Sequence, residues 1–240
     1  MKITLLATAL CGLLSTSLFG ASLPNEQVTS VWYTDAQMSL EEKINRIKKT
    51  NKAKNVILFI GDGMGISTIT ASRILDGQNK GQLGEENVLS FGKFPYSGLV
   101  KTYNTNSQTP DSAGTMTAMA SGIKTKMGVL GVNEFGARGN CAESKDNDVM
   151  TMMELAERNG MSTGVVSTAR ITHATPAATY AHTPERNWEN NSKLTEEAIA
   201  NGCEDIASQL LSFSYGDGID VVMGGGRREF MPKESTDVEG

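Results

Sequence analysis

The sequence has few aromatic residues and no excess of basic ones. Phe, Trp and Tyr make up 6% of its 240 residues, and 22 Lys and Arg are outnumbered by 27 Asp and Glu, for a formal charge of -5. Both deficits argue against nucleic-acid-specific binding, which needs a basic face and often aromatic stacking platforms. Only 6 prolines, with 39% hydrophobic and 20% charged residues, exclude the disordered and fibrous classes. We therefore expect one or two globular domains.

Residues 1–22 have the order of a secretory signal peptide. The basic Lys2 precedes a mostly apolar stretch from Ile3 to Phe19, which ends in small residues. A transmembrane anchor is the alternative, but Thr and Ser residues interrupt the stretch, and spanning needs about 20 mostly apolar residues. The prediction is export to the periplasm or the exterior, with residues 23–240 as the mature chain and no transmembrane segment after signal removal.

Cysteine is scarce as well, with three in the whole chain. Cys11 falls within the predicted signal, so Cys141 and Cys203 remain in the mature protein. In an oxidising compartment such a pair favours a disulfide, although two buried free thiols are the alternative.

Apolar runs of strand length alternate with helical stripes along the chain. This alternation predicts the α/β class, a parallel-rich sheet with helices on both faces, whose functional groups gather at the carboxyl ends of the strands. An outer helix over Glu41–Lys54, capped by Ser39, precedes the sheet. The predicted order is then strand Asn55–Ile60, helix Ser67–Leu75, helix Val149–Ala156, strand Ser162–Ser167, helix Cys203–Leu210 and strand Ile219–Met223.

Asp62 lies in a glycine-rich loop, Gly61–Gly65, directly after the first predicted strand. The spacing differs from the G-x-G-x-x-G of dinucleotide sites, and a carboxylate in the loop would repel a pyrophosphate. An Asx turn is the structural alternative. A carboxylate at a strand end is also suited to binding a metal through oxygen.

Ser112 follows Asp111 at the predicted start of a helix that runs through Ser121. Free N–H groups and the helix dipole favour an anion there, although a serine that merely caps the helix is the alternative. No Gly-x-Ser-x-Gly elbow surrounds Ser112, and neither histidine is placed to mark a triad. Metal coordination is the other route to an alkoxide at neutral pH.

A third polar segment follows the strand that ends near Ser167. His173 and Thr175 alternate, so an extended backbone would point both side chains to the same side. Arg186 offers a guanidinium fork suited to phosphate or carboxylate. Four acidic residues earlier in the chain are interpreted as the solvated start and outer face of a helix and not as a catalytic carboxylate pair: Asp146, Asp148, Glu154 and Glu157.

Together these segments resemble the alkaline phosphatase family, and most strongly its animal-type branch. The resemblance runs from about Lys54 to Pro232. It rests on the motifs Gly-Asp-Gly-Met-Gly at 61–65, Lys-Thr-Tyr-Asn-Thr-Asn at 101–106, Asp-Ser-Ala-Gly-Thr at 111–115, His-Ala-Thr-Pro-Ala at 173–177, Arg-Asn-Trp at 186–188 and Gly-Gly-Gly-Arg-Arg at 224–228.

The resemblance implies a role for each motif residue. Ser112 would be the nucleophile that takes the phosphoryl group and a metal ligand, and Asp62 would bridge a magnesium and a zinc. Thr175 would be a magnesium ligand, and His173 would belong to the outer shell of that pocket and to the phosphate-binding group. Arg186, oriented by Asp111, would clamp two phosphate oxygens.

The resemblance also implies two zinc ions and one magnesium ion, phosphate monoesters and inorganic phosphate as ligands, a homodimer, and a Cys141–Cys203 disulfide like that of the animal-type branch. The family draws three histidines for its zinc sites from the carboxyl-terminal half of its fold, whereas this chain has two histidines in all. We therefore expect a truncated, amino-terminal portion of the family's catalytic domain. Phosphodiester or related hydrolysis, and non-catalytic phosphate binding, are the alternatives.

Overall fold

The structure is a computed structural model that describes residues 29–45, 52–232 and 234–235. The predicted signal peptide, residues 1–22, lies outside this part of the chain. The helices and strands in chain order are α1 Val31–Ile44, α2 Ile66–Asn79, α3 Ser112–Ser121, α4 Cys141–Ser144, α5 Met152–Arg158, β1 Gly164–Arg170, α6 Ala174–Ala177, α7 Glu196–Ala200, α8 Ile206–Leu211 and β2 Val221–Gly225. Short 3-10 turns cover Ser90–Lys93, Asn191–Lys193 and Arg227–Phe230.

The chain divides into two units. One takes the residues up to Leu58 and Arg73–Ser97, and the other takes Phe59–Ser72 and the residues from Gly98 onward. In the first unit α1 begins ten residues before the predicted Glu41, so Ser39 lies inside the helix and the predicted cap is wrong. The predicted end of that helix, near Lys54, follows residues 46–51, which lie outside the described part.

Polar contacts brace the end of α2 in the first unit. The Asn87 side-chain amide donates to the Arg73 carbonyl and to Asp76 Oδ2, both at 2.8 Å. Lys80 pairs with the same Asp76 carboxylate at 2.6 Å. These bonds hold the loop after α2 against its last two turns.

The second unit contains the parallel sheet, which confirms the predicted α/β class. Strands β1 and β2 pair in parallel with Gly164 opposite Val221, and an irregularity after Val166 shifts the register so that Arg170 lies opposite Gly225. Both strands begin two residues later than the sequence predicted. Helices α6, α7 and α8 lie in the connection between them, as a parallel crossover requires.

The core of this unit is built largely from small and aliphatic side chains. Small residues let α3 and α6 pack closely, because their backbones can approach without large side chains between them. The buried cluster comprises Ala113, Met116, Ala120, Leu130, Met153, Val165, Ile171, Ala174, Ala177, Ala178, Tyr180, Ala181 and Ile206.

The predicted first strand, Asn55–Ile60, is not a strand in the structure. Its backbone makes no ladder with any described segment, and Phe59 is 89% exposed and Ile57 80% exposed. Only Ile60 packs against the core cluster. An apolar run becomes a strand only when a neighbouring strand pairs with its N–H and C=O groups, and the described residues supply no such neighbour here.

Cys141 and Cys203 form the predicted disulfide, with their Cα atoms 6.0 Å apart. Cys141 is fully buried and joins a small second cluster with Trp188 and Ala198. The bond therefore links the start of α4 to the loop between α7 and α8.

Candidate active site

The candidate active site lies in the second unit, around the start of helix α3. Asp111 caps this helix, since its Oδ1 accepts a hydrogen bond from the Gly114 N–H at 3.1 Å. Ser112 is therefore the first residue of the helix and not its cap. The Ser112 hydroxyl makes no hydrogen bond to another described residue.

Gly114 permits the helix start to pack against two loops. A Cβ at this position would lie 2.9 Å from the Lys126 carbonyl oxygen and 3.0 Å from the Asn104 side chain. Both distances are too short for ordinary carbon contacts, so a glycine is required for this approach. The sequence analysis noted Gly114 only as part of the Asp-Ser-Ala-Gly-Thr motif at 111–115.

Two hydrogen bonds hold Arg186 beside Asp111. Its Nη1 donates to Asp111 Oδ2 at 2.9 Å, and its backbone N–H donates to the Gly128 carbonyl at 2.9 Å. The Gly128 N–H in turn donates to the same Asp111 oxygen at 2.9 Å. The structure thus brings Asp111 and Arg186, 75 residues apart in sequence, into one ion pair.

Asp111 is held as a carboxylate by its neighbours. Burial raises its pKa, but the hydrogen bonds from the Gly114 N–H, Arg186 and Asn104 outweigh burial and leave the pKa below its usual value. The group at the start of α3 is therefore an anion that accepts four hydrogen bonds, counting the Gly128 N–H.

His173 connects Arg186 to Asp62. The second guanidinium nitrogen of Arg186, Nη2, lies 3.2 Å from His173 Nε2, and His173 Nδ1 lies 3.8 Å from Asp62 Oδ2. A guanidinium can only donate, so Nε2 must be the acceptor and the neutral ring carries its proton on Nδ1, facing Asp62. Burial, with the nearby charge of Arg186, holds the pKa of His173 below its ordinary value.

Thr175 also contacts Asp62, through a 2.7 Å hydrogen bond from its Oγ1 to Asp62 Oδ2. The expected extended backbone for this segment is wrong, because His173 is the N-cap of the short helix α6 and Thr175 lies in its first turn. The two side chains nevertheless converge on one carboxylate oxygen. Gly63, with φ of 63°, supplies the left-handed turn that lets the chain reverse just after Asp62.

The donor set fits a magnesium ion better than zinc. Asp62 and Thr175 place two oxygen donors side by side, the ligand type that magnesium prefers. The buried Nδ1–H of His173 has no protein partner within hydrogen-bonding distance, so it is a hydrogen-bond donor beside these oxygens and not a metal ligand. Within the described residues, no cluster of three His, Cys, Asp or Glu side chains could hold a metal. The chain's second histidine, His182, is engaged elsewhere, so the zinc ligands implied by the resemblance are not assembled in this part of the chain.

His182 belongs to a buried ion pair that sequence reasoning missed. Its Nε2 lies 2.6 Å from Glu154 Oε1, and its Nδ1 lies 2.8 Å from the Gly131 carbonyl oxygen. Glu154 is fully buried and Glu157 is 2% exposed, so the prediction of a solvated acidic face is wrong. The signal available in the sequence was the Thr-x-x-Glu pattern of a capping box from Thr151 to Glu154.

Comparison with known proteins identifies the family of this chain. The chain matches the alkaline phosphatase family over residues 53–240. This chain belongs to the alkaline phosphatase family. The tissue-nonspecific alkaline phosphatase of Mus musculus is 47% identical over 215 residues, which cover 89% of this chain and 41% of the relative. Alkaline phosphatase of Gadus morhua is 44% identical over 221 residues (91% and 46%), and the membrane-bound alkaline phosphatase of Bombyx mori is 43% identical over 222 residues (90% and 40%).

Solved structures agree with the family assignment. A cold-active alkaline phosphatase from Shewanella sp. superposes with a TM-score of 0.53 at 31% identity, over 72% of this chain and 36% of that one. A TAB5 alkaline phosphatase mutant with magnesium bound superposes with a TM-score of 0.52 at 28% identity, over 74% and 41%. The chain thus spans about two fifths of the length of the curated relatives it matches. Among its described residues, no helix is both long and apolar enough to cross a bilayer.

Proposed function

We propose that this chain carries the nucleophile and the phosphate-binding part of a metal-dependent phosphate monoester hydrolase that forms a phosphoserine on Ser112. The observation that supports the proposal most directly is the Asp111–Arg186 ion pair, at 2.9 Å, next to an uncommitted serine at the start of a ten-residue helix. A helix start and a guanidinium fork are both suited to a phosphate group.

Arg186 and Ser112 have separate parts in the proposed hydrolysis. Arg186 uses one N–H on Asp111 and another on His173, and its remaining N–H groups are available to phosphate oxygens. The Ser112 hydroxyl gives up its proton as Oγ attacks phosphorus, the bond to the ester oxygen breaks, and that oxygen leaves with the electron pair and is protonated to the alcohol. Water then attacks the phosphoserine, which releases inorganic phosphate and restores the serine. The developing charge lies on the phosphoryl oxygens, where a fixed cation stabilises the transition state.

Asp62 and Thr175 are the residues that would hold magnesium, with His173 behind them. A bound divalent metal lowers the pKa of a coordinated oxygen and neutralises phosphoryl charge. The zinc pair needs further donors, and neither histidine offers a free lone pair, because His182 bonds Glu154 and Gly131 and His173 Nε2 accepts from Arg186. We therefore expect negligible hydrolysis when the 240 residues alone receive zinc, magnesium and a phosphate monoester. Clear turnover under these conditions would refute this expectation.

The phosphate site can be tested without turnover. Inorganic phosphate is titrated into the magnesium-loaded chain, and NMR shifts of its backbone amides are followed. Arg186→Ala should weaken binding about tenfold or more, because a charge-assisted contact contributes about 1.5–3 kcal/mol. Arg158→Ala is the matched control, since the Arg158 guanidinium lies over the Tyr215 ring, 4.8 Å from its centroid, and not at the start of α3. Equal affinity of the two variants would place phosphate elsewhere or nowhere.

Non-catalytic phosphate binding is the second candidate, favoured by the engagement of both histidines. The two functions separate in any form of the protein that hydrolyses phosphate monoesters. Acid quenching with labelled phosphate should then trap label on Ser112, and Ser112→Ala should lower kcat by several orders of magnitude. Label on another residue would exclude the proposed nucleophile. Export and a homodimer remain predictions.

A further inference from the structure

We propose that Asn104 is a positioning residue for the phosphate site, because its side-chain amide orients the Asp111 carboxylate that holds Arg186. This inference rests on the function proposed above for Arg186. The Asn104 Nδ2 donates to Asp111 Oδ1 at 2.8 Å, while Arg186 takes the other oxygen, Oδ2. Asn104 acts through Asp111 and makes no contact with the Ser112 hydroxyl.

The orientation of the Asn104 amide follows from chemistry. A carboxylate offers only acceptors, so the side of the amide that faces Asp111 must be its N–H₂. With Oδ1 committed to Asn104 and Gly114, and Oδ2 committed to Gly128 and Arg186, the carboxylate cannot rotate without breaking charge-assisted bonds.

The Asn104 backbone is itself fixed. Its N–H and C=O both pair with Ser107, at 3.0 and 3.1 Å, and the next residue, Thr105, donates to the Thr125 carbonyl at 3.0 Å. The side chain is 2% exposed and lies against Gly114, whose missing Cβ makes the contact possible. The amide is therefore presented to Asp111 from a rigid turn.

Stability alone does not account for an amide at this position. Asn104 Oδ1 is buried and has no protein partner in the described part of the chain, and a buried acceptor left unpaired destabilises the folded state. An apolar side chain of similar volume would avoid that cost but could not donate to Asp111. The donor to Asp111 is what the amide supplies.

A matched pair of variants isolates this donor. Asn104→Asp keeps the shape of the side chain but turns a carboxylate oxygen toward Asp111. Asn106→Asp adds the same charge two residues away and keeps an acceptor for the Met127 N–H, which Asn106 Oδ1 binds at 2.9 Å. Inorganic phosphate is titrated into each magnesium-loaded variant under the conditions used for Arg186→Ala, and unfolding midpoints are measured alongside.

We expect phosphate affinity to fall about fivefold or more in Asn104→Asp relative to Asn106→Asp. A merely structural role would lower the unfolding midpoint and leave the affinity of the folded protein equal to the control, which would overturn the proposal. If the unmutated chain shows no Arg186-dependent phosphate binding, the proposed function fails, and the next measurement still decides the role of Asn104.

That measurement needs no Asn104 variant, so it also applies if Asn104→Asp does not fold. The side-chain amide protons of Asn104 should exchange with solvent much more slowly than those of the exposed Asn191. Arg186→Ala should shift the Asn104 amide signals, because the shared carboxylate couples the two side chains. Fast exchange, or unchanged signals in Arg186→Ala, would overturn the proposal.

Discussion

At the scale of single residues, the main feature of α5 is that Glu154 is buried and paired with His182. Both imidazole nitrogens face acceptors, the Glu154 carboxylate and the Gly131 carbonyl, which favours the doubly protonated ring. Burial lowers the pKa of His182, but the hydrogen bond and charge of Glu154 outweigh it and leave the pKa raised. The Glu154 carboxylate therefore stabilises the protonated, positively charged form of His182.

This pair predicts a pH-dependent stability. The stabilising contribution of a raised His182 pKa is fully present below the unfolded value of about 6.5 and is lost as pH rises through the folded value. The test is urea unfolding of the unmutated chain and of Glu154→Gln between about pH 5.5 and about pH 9. At the acid end, the free energy of unfolding of the unmutated chain should exceed that of Glu154→Gln by about 2 kcal/mol. The advantage should shrink toward the alkaline end. A constant difference across this range would contradict the assignment.

At the scale of helices and strands, side-chain caps set several helix starts. Thr151 caps α5 by accepting from the Glu154 N–H at 3.2 Å, and its own hydroxyl donates to the Thr179 carbonyl at 2.7 Å. Thr195 caps α7 from an exposed position through the Ala198 N–H at 3.1 Å. The two caps use the same residue type in different surroundings.

Because the two caps differ in their surroundings, replacing each threonine by alanine should destabilise the protein by different amounts. Thr195→Ala should lower the free energy of unfolding by about 1 kcal/mol, as expected for a lost cap. Thr151→Ala should lower the free energy of unfolding by about 2 kcal/mol, because it also leaves the partly buried Thr179 carbonyl without its donor. Urea unfolding of both variants measures the difference, and Thr151→Ser should recover most of the larger loss. Equal losses of unfolding free energy in the two variants would mean that the hydrogen bond to the Thr179 carbonyl contributes nothing to stability.

At the scale of the whole molecule, the disulfide joins positions 62 residues apart. Chain-entropy reasoning gives a cross-link of this span an upper contribution of about 4 kcal/mol, because it restricts the unfolded chain. The Cys141 end also lies in the small cluster with Trp188, so reduction removes the cross-link while leaving those apolar contacts available.

Reduction of the unmutated chain should therefore lower its unfolding free energy by up to about 4 kcal/mol, measured in urea with and without a thiol reductant. The double variant Cys141→Ala, Cys203→Ala should be less stable than the reduced protein, since it also loses buried side-chain volume. Peptide mapping under non-reducing conditions should recover the two cysteines joined. Two alkylatable thiols in the native oxidised protein would disprove the bond.

The sequence by itself determined the features that depend on local order. The Asp111–Ser112 pair, the loop around Asp62 and the segment containing His173 and Thr175 were recognisable because their residues lie within short motifs. The presence of α2, α3 and α5 followed from periodicity and end signals, which are also local, although α2 runs four residues past the predicted Leu75 and α5 begins three residues after the predicted Val149. The cysteine pairing followed from there being only two cysteines after the predicted signal.

The tertiary structure alone decided what depends on distant neighbours. Asn55–Ile60 has the composition of a strand but lacks a pairing partner, and Glu154 has the pattern of a surface residue but is buried against His182. The link from Asn104 through Asp111 to Arg186 had no sequence signal, because it joins three separate segments. Burial and hydrogen-bond pairing are properties of what surrounds a residue, and only the folded chain brings those surroundings together.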